Sequence, residues 1–255
     1  MKVLLAGNDL LAILCSEYLL TQGVELFLLP EGLDASWERS FRDYNSDINF
    51  IGPMRDHIAL VRNFNPDLIV GLRLRKLVPK EILDIAPVVN IHFGPLPRYG
   101  GMYPIFHQIR NGEEYIGVTM HFMSPMFDEG PIIGVATFDT RSEEHTVRLR
   151  GSTTWIVNGI TAYEAYNHAI QVGYQLFIMC FPNLFAEVPV KQEGDRLYYT
   201  SNSVNFIADR IWSLTESTDE LTEELSRHIR SFTFPPCQYP VLRYLDGYEL
   251  EVRLQ

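Results

Sequence analysis

The chain has 255 residues, 46% hydrophobic and 21% charged, with 17 Gly and 15 Pro, which excludes disorder and allows one α/β domain plus an appended smaller unit. Its formal charge of -11 repels polyanions, so nucleic acid or an anionic membrane surface is not the expected partner. Three widely spaced cysteines, Cys15, Cys180 and Cys237, fit neither a disulfide framework nor a zinc site and suit a reducing cytoplasm.

In chain order, Met1 to Ala6 is apolar but stops at Gly7-Asn8-Asp9, unlike the longer core of a signal peptide. Short apolar runs recur at Val3–Leu5, Val24–Leu29, Ile48–Ile51, Leu68–Leu72 and Val88–Phe93, bounded by Gly, Pro, Asn or Asp, and predict strands. Helices are predicted between them at Leu10–Thr21, Met54–Asn63 and Pro79–Ile85, the last with Pro at its first position, where a missing amide costs least. This succession predicts an α/β fold, a Rossmann-like, mostly parallel sheet with flanking helices. After Arg141 the pattern predicts helix, with Thr146 as a candidate N-cap and Thr154–Phe181 apolar at mixed three and four spacing. The stretch Val172–Phe185 is too short and too interrupted to span a bilayer, which needs roughly 20 apolar residues, and reads as core. Ser217 then opens a capped helix through His228, and Pro240–Gln255 reads as a hairpin turning at Asp246-Gly247. The expected division is a core over 1–140 and a small helical and β-hairpin extension over 141–255 packing on it.

Chemistry concentrates at Val88-Val89-Asn90-Ile91-His92-Phe93-Gly94-Pro95, where an apolar strand admits two polar residues two positions apart. Period two puts Asn90 and His92 on one face, and the stop at Gly94-Pro95 puts them near the strand's carboxyl end, where open α/β sheets bind ligands. Another predicted strand, Val118–Met123, runs into Ser124-Pro125-Met126-Phe127-Asp128-Glu129-Gly130-Pro131, a loop that offers an acid. If that loop faces His92, an Asn, His, Asp set results. Asn90 then donates to an oxygen becoming negative, His92 moves a proton, and Asp128 holds the imidazole and favours its charged form. Such a set suits acyl transfer to an amine supplied by the substrate.

Asn90-Ile91-His92, Leu96-Pro97, Gly101, Gly117-Val118-Thr119-Met120-His121 and Phe127-Asp128-Glu129-Gly130-Pro131-Ile132-Ile133 together resemble the folate-dependent formyltransferases, over roughly residues 1 to 140. That family includes glycinamide ribonucleotide transformylase, methionyl-tRNA formyltransferase and the sugar N-formyltransferases. The resemblance implies catalytic Asn90, His92 and Asp128, and 10-formyltetrahydrofolate as co-substrate, with no metal. It also implies a pterin slot formed by Leu74, Arg75 and Leu77 and by the loop Ser124, Pro125 and Asp128. The family usually carries Ser two residues after the His, where this chain has Gly94.

Among acceptors, the purine enzyme is usually shorter, and the tRNA enzyme carries a basic C-terminal barrel that this acidic tail does not resemble. The run His228-Ile229-Arg230-Ser231-Phe232-Thr233-Phe234-Pro235-Pro236 is similar to an Arg-x-Phe-x-x-Pro-Pro element of sugar N-formyltransferases. A nucleotide-linked amino deoxysugar, of the kind used in O-antigen and lipopolysaccharide biosynthesis, is therefore the expected acceptor, met by Asn8, Gly94, Arg98 and Tyr103. A tail-mediated homodimer is compatible with the same resemblance. Alternatives are an amino-acid or hydroxyornithine-type acceptor in peptide or siderophore synthesis, and a hydrolase releasing formate with the same three residues. A dinucleotide oxidoreductase is disfavoured because Ala6-Gly7-Asn8-Asp9-Leu10-Leu11-Ala12 lacks two glycines of the phosphate fingerprint. A metallohydrolase using His92, His121 and Asp128 lacks a helical His pair.

Overall fold

The structure, a computed structural model, describes residues 1–7, 9–30, 52–74, 76–148, 154–214 and 222–255. Its strands are β1 (Lys2–Gly7), β2 (Glu25–Pro30), β3 (Leu68–Gly71), β4 (Val88–His92), β5 (Gly100–Gly101), β6 (Tyr115–Phe122), β7 (Ile132–Asp139), β8 (Glu144–Arg148), β9 (Thr154–Asn158), β10 (Tyr198–Tyr199), β11 (Ile211–Ser213), β12 (Val241–Arg243) and β13 (Glu249–Glu251). The α-helices are α1 (Leu10–Thr21), α2 (Ile58–Phe64), α3 (Lys80–Leu83), α4 (Pro104–Arg110), α5 (Ala162–Cys180) and α6 (Glu223–Phe232). The main sheet has the order β2-β1-β3-β4-β6-β7. β1 pairs in parallel with β2 and β3, β3 in parallel with β4, and β4 antiparallel with β6. The expected mostly parallel α/β sheet is present.

Two compact units interleave along the chain. The first comprises 1–100, 118–136 and 170–196; the second comprises 101–117, 137–169 and 197–255. In the first, β3 and β4 are buried at every position, so both sheet faces need covering, and each strand reads as an unbroken apolar run. Leu4, Ala6, Leu29, Val61, Ile69, Ile82 and Val88 form one core cluster there. Asp9 caps α1, its carboxylate accepting from the Ala12 amide at 3.1 Å. In the second, Val147, Val157, Leu225, Ile229, Leu242 and Val252 form a separate core.

Several sequence expectations are corrected. Thr146 lies within β8, and Thr154 opens β9 rather than a helix; these two strands pair antiparallel. Trp155-Ile156-Val157 is a β-favouring triplet whose apolar side chains merge with those of the following helix into a mixed spacing. Helix α5 starts only at Ala162, where Thr161 and Glu164 cap each other: the Thr161 amide donates to Glu164 at 2.9 Å and the Glu164 amide to Thr161 at 3.3 Å. The Met54–Asn63 helix is a 3-10 turn, Met54–His57, followed by α2. Pro79 sits one position before α3, which is a single turn.

The expected strand Ile48–Ile51 and the cap Ser217 lie outside the described residues. Within them, Thr222 caps α6, accepting from the Leu225 amide at 3.2 Å, and the helix runs on to Phe232. The C-terminal hairpin forms between β12 and β13, but around a three-residue loop: the Tyr244 amide donates to Tyr248 and the Gly247 amide to Tyr244, with Gly247 at φ +82. That is the hairpin class that needs a left-handed residue at its third loop position, which Asp246-Gly247 satisfies without forming a two-residue turn. Among the described residues no helix is long and apolar enough to cross a membrane.

Candidate active site

All the groups of the candidate site lie in the first unit, on β4, β6 and the loop that follows β6. The antiparallel register sets Asn90 opposite His121 and His92 opposite Thr119. Alternation along both strands therefore delivers four polar side chains to one face of an otherwise apolar sheet. Thr119 fixes the exit of β4: its hydroxyl donates to the Gly94 carbonyl at 2.7 Å and accepts from the Leu96 amide at 3.2 Å.

His121 is fully buried, and its Nδ1 lies 2.8 Å from the Phe122 carbonyl oxygen. A carbonyl only accepts, so Nδ1 carries the proton and Nε2 is left as an acceptor. Burial, reinforced by neighbouring His92, lowers its pKa to about 4 and keeps the ring neutral. Its Nε2 then accepts from Asn90 Nδ2 at 3.2 Å, which assigns the amide orientation of Asn90. Asn90 Oδ1 is buried with no hydrogen-bond partner among the described residues. Leaving such an acceptor unfilled costs about 1–3 kcal/mol, a deficit that an N–H donor from a ligand removes.

His92 is clamped from two sides. Nε2 donates to the Tyr99 carbonyl at 2.6 Å, and Nδ1 faces Asp128 Oδ1 at 3.7 Å. Both ring nitrogens thus look at acceptors, and an imidazolium supplies a donor to each. The 3.7 Å separation exceeds hydrogen-bond length, so Nδ1 is the nitrogen that can exchange a proton, Nε2 being committed to main chain. Asp128 Oδ1 is also 3.7 Å from His121 Nε2.

Asp128 has φ +53, left-handed for a residue with a side chain, a conformation that costs about 1–3 kcal/mol and that surroundings must impose. The next glycine, Gly130, has no room for a Cβ, which would collide with the Phe122 carbonyl carbon and oxygen. The loop therefore folds back tightly on the end of β6, where the Phe122 amide also donates to Pro131 at 2.9 Å.

The other residues singled out from sequence distribute as follows. Ser124 closes on its own loop, its hydroxyl donating to the Met126 carbonyl at 2.9 Å, and Pro125 is exposed. Leu74 and Leu77 line one shallow depression together with Met54, Arg55 and Lys76. Asn8 and Arg75 lie outside the described residues. Gly94 accepts from Thr119, and the Arg98 guanidinium lies over the Tyr99 ring at 5.5 Å. Tyr103 belongs to the second unit, at φ +57 ahead of α4, with its ring edge-on to Phe206 at 4.8 Å. Asn90, His92 and Asp128 are thus brought together. In the sequence His121 has a role only in the metallohydrolase alternative, and Thr119 stands with it in the Gly117-to-His121 segment of the family resemblance without a role of its own. The strand alternation that pairs Asn90 with His92 also pairs Thr119 with His121, and was the available signal. Among the described residues no group of three or more His, Cys, Asp or Glu side chains is placed to hold a metal.

A buried amide, an imidazole and a carboxylate at the carboxyl end of an α/β sheet are groups whose chemistry suits acyl transfer without a protein nucleophile. The family model "Formyl transferase" matches residues 54–154, a segment that includes all of these groups. A methionyl-tRNA formyltransferase of Helicobacter acinonychis is 37% identical over 81 residues, 32% of this chain and 27% of that protein. The chain thus spans about a quarter of the length of such relatives. Likeness in fold extends further. A 4-N formyltransferase from Francisella tularensis superposes with a TM-score of 0.74 at 16% identity, covering 100% of this chain and 97% of that one. An N-formyltransferase from Helicobacter canadensis, solved with folinic acid and dTDP-3-aminofucose, superposes with a TM-score of 0.70 at 21% identity, covering 94% and 83%.

Proposed function

We propose that this chain is an N-formyltransferase that uses 10-formyltetrahydrofolate and formylates the primary amine of a nucleotide-linked amino deoxysugar. The observation that carries the reaction class is the Asn90 amide, oriented by a neutral His121 and set beside a His92 that faces Asp128. The donor set fits a formyl donor and an amine: the pair on Asn90 presents an N–H and an unfilled buried acceptor, Oδ1, from one side chain.

The bound folate supplies an activated formyl carbon and an amine nitrogen as leaving group. Asn90 Nδ2, holding one hydrogen on His121, keeps its second for the oxygen on which negative charge grows; one such donor is worth about a hundredfold to a thousandfold in rate. Asn90 Oδ1 accepts from the attacking amine and orients its lone pair. His92 Nδ1 and Asp128 Oδ1 carry the proton that the amine loses to the nitrogen that leaves, so that one C–N bond forms as another breaks. Burial of Asn90 and His92 keeps bulk water from competing for the formyl group.

The acceptor class is supported by the acidic charge, which opposes a tRNA, by the Arg230-to-Pro236 element, and by fold likeness over 94% of this chain to an N-formyltransferase solved with dTDP-3-aminofucose. In this reading residues 1–140 carry the catalysis and 141–255 the extension, with Leu74, Leu77 and the Ser124–Asp128 loop on the folate side and Gly94 and Arg98 on the acceptor side. The test is mass spectrometry of purified protein with 10-formyltetrahydrofolate and nucleotide-linked amino sugars, hydroxyornithine-type amines and methionyl-tRNA. Formyl gain on an amino sugar alone is the expected result. Formyl gain on methionyl-tRNA overturns the acceptor class, and formate with tetrahydrofolate but no formylated amine marks a hydrolase.

A further inference from the structure

The loop carrying Asp128 is gripped by a segment far along the chain, within the same compact unit. Val190 pairs with Ile132 just beyond the loop, each amide donating to the other's carbonyl at 2.7 and 2.8 Å. Gln192 Nε2 then donates to two carbonyls of the loop, Asp128 at 2.9 Å and Gly130 at 2.7 Å. Arg196 donates through Nη2 to the Phe127 carbonyl at 2.6 Å and through Nη1 to the Glu129 carboxylate. Four consecutive residues, 127 to 130, are therefore held by two side chains, and the one in the middle has the left-handed backbone that its own side chain disfavours. On the opposite side Gly130 rests against the Phe122 carbonyl, so the loop is shaped from β6 on one side and from this strap on the other.

We propose that Gln192 and Arg196 are positioning residues for formyl transfer, the Val190–Arg196 strap fixing the main chain of Asp128 and hence the His92–Asp128 spacing. This rests on the role given to Asp128 above. Gln192 fits the task because a primary amide has two hydrogens on one nitrogen, and a single Nε2 meets both carbonyls. The arrangement makes proton transfer depend on a segment outside the strands that carry Asn90 and His92. A misplacement of about 1 Å at a reacting group can cost on the order of a hundredfold in rate, so the loss of the strap is read in turnover rather than in substrate binding.

The experiment compares Gln192→Leu and Arg196→Ala, each in the unaltered and the Asp128→Asn background, by kcat and KM for formyl transfer. It adds hydrogen exchange of the 124–131 segment, with 88–92 as internal reference. The expected result is a fall in kcat of about a hundredfold with KM within about twofold, and a further loss below about threefold when Asp128 is already Asn. The same fold-loss in both backgrounds, or an unchanged kcat for both variants, overturns the proposal. Should Gln192→Leu fail to fold, Arg196→Lys keeps the cation facing Glu129, lacks the guanidinium fork that reaches Phe127, and carries the same double-background comparison. If the unaltered protein formylates no amine, the functional reading falls, and exchange still decides the strap. Exchange at 124–131 faster by about tenfold with 88–92 unchanged sustains it, and equal exchange ends it.

Discussion

Asn90 Nδ2 donates to His121 Nε2 across directly opposed positions of β4 and β6, 3.2 Å apart, and this bond decides which end of the Asn90 amide is a donor toward a ligand. The chain of causes runs from the Phe122 carbonyl, through the His121 tautomer, to Asn90. Removing the acceptor lets the amide rotate. His121→Leu is therefore expected to lower kcat about tenfold to a hundredfold with little change in KM, whereas His121→Gln, which keeps an acceptor oxygen, retains more activity. Steady-state kinetics of both variants check this; an unaltered kcat in His121→Leu would mean that Asn90 is oriented by other groups.

In the proposed mechanism His92 and Asp128 act on the proton, not on substrate affinity. Replacing either by Asn is expected to lower turnover by about a hundredfold or more while folate binding changes by less than about threefold. Single-turnover rates measured beside equilibrium folate binding separate the two effects. A parallel loss of both quantities would instead place these residues in the folate pocket.

How far this arrangement is legible in sequence depends on the range of the interactions. Asn90 and His92 declare themselves because period two and the Gly94-Pro95 stop are local. Asp128 is nameable as a loop acid, but its approach to His92 follows from β6 running antiparallel to β4, a long-range choice that a run such as Val118-Thr119-Met120-His121 does not encode by itself. Gln192 is wholly illegible: it sits in Lys191-Gln192-Glu193 with no periodicity, and its role arises from the two carbonyls it meets 64 and 62 residues away in sequence. The β8–β9 pair was hidden for a different reason. A five-residue strand abutting a long helix through Gly159-Ile160-Thr161 leaves no polar break long enough to separate their apolar patterns.

Gly101 tests the second unit independently of chemistry. It has φ +89, and a Cβ there would run into the Tyr199 carbonyl, to which the Met102 amide donates at 2.8 Å. Gly101→Ala combines a disfavoured backbone with a collision against main chain that has no rotamer to yield. A loss of more than about 1 kcal/mol is expected, seen as a melting point lower by at least about 2–4 °C. Gly194→Ala, also left-handed at φ +102 but with open space around its Cβ, isolates the backbone part of the cost. Equal melting points for the two variants would show that the Tyr199 contact yields freely.

Acid sensitivity is expected from histidines that the fold keeps neutral. Burial lowers His107, His121 and His228 from 6.5 to about 4. For each, the folded value lies below the unfolded one, so between pH 6.5 and 4 the unfolded chain binds more protons than the folded one. Stability is then complete above 6.5 and declines as pH falls through that window. His107 offers the cleanest probe, because its Nε2 is buried without a partner among the described residues and its ring stacks on Tyr199 at 3.6 Å. Phe keeps the stack, loses no bond at Nε2 and cannot take a proton. His107→Phe is expected to match or exceed the parent's melting point at pH 7.5, and to exceed it by about 2–4 °C or more at pH 5. Melting curves recorded across that pH range decide it: parallel decline in both proteins would mean that protonation of His107 is accommodated in the folded state and that the acid loss originates at the other two rings.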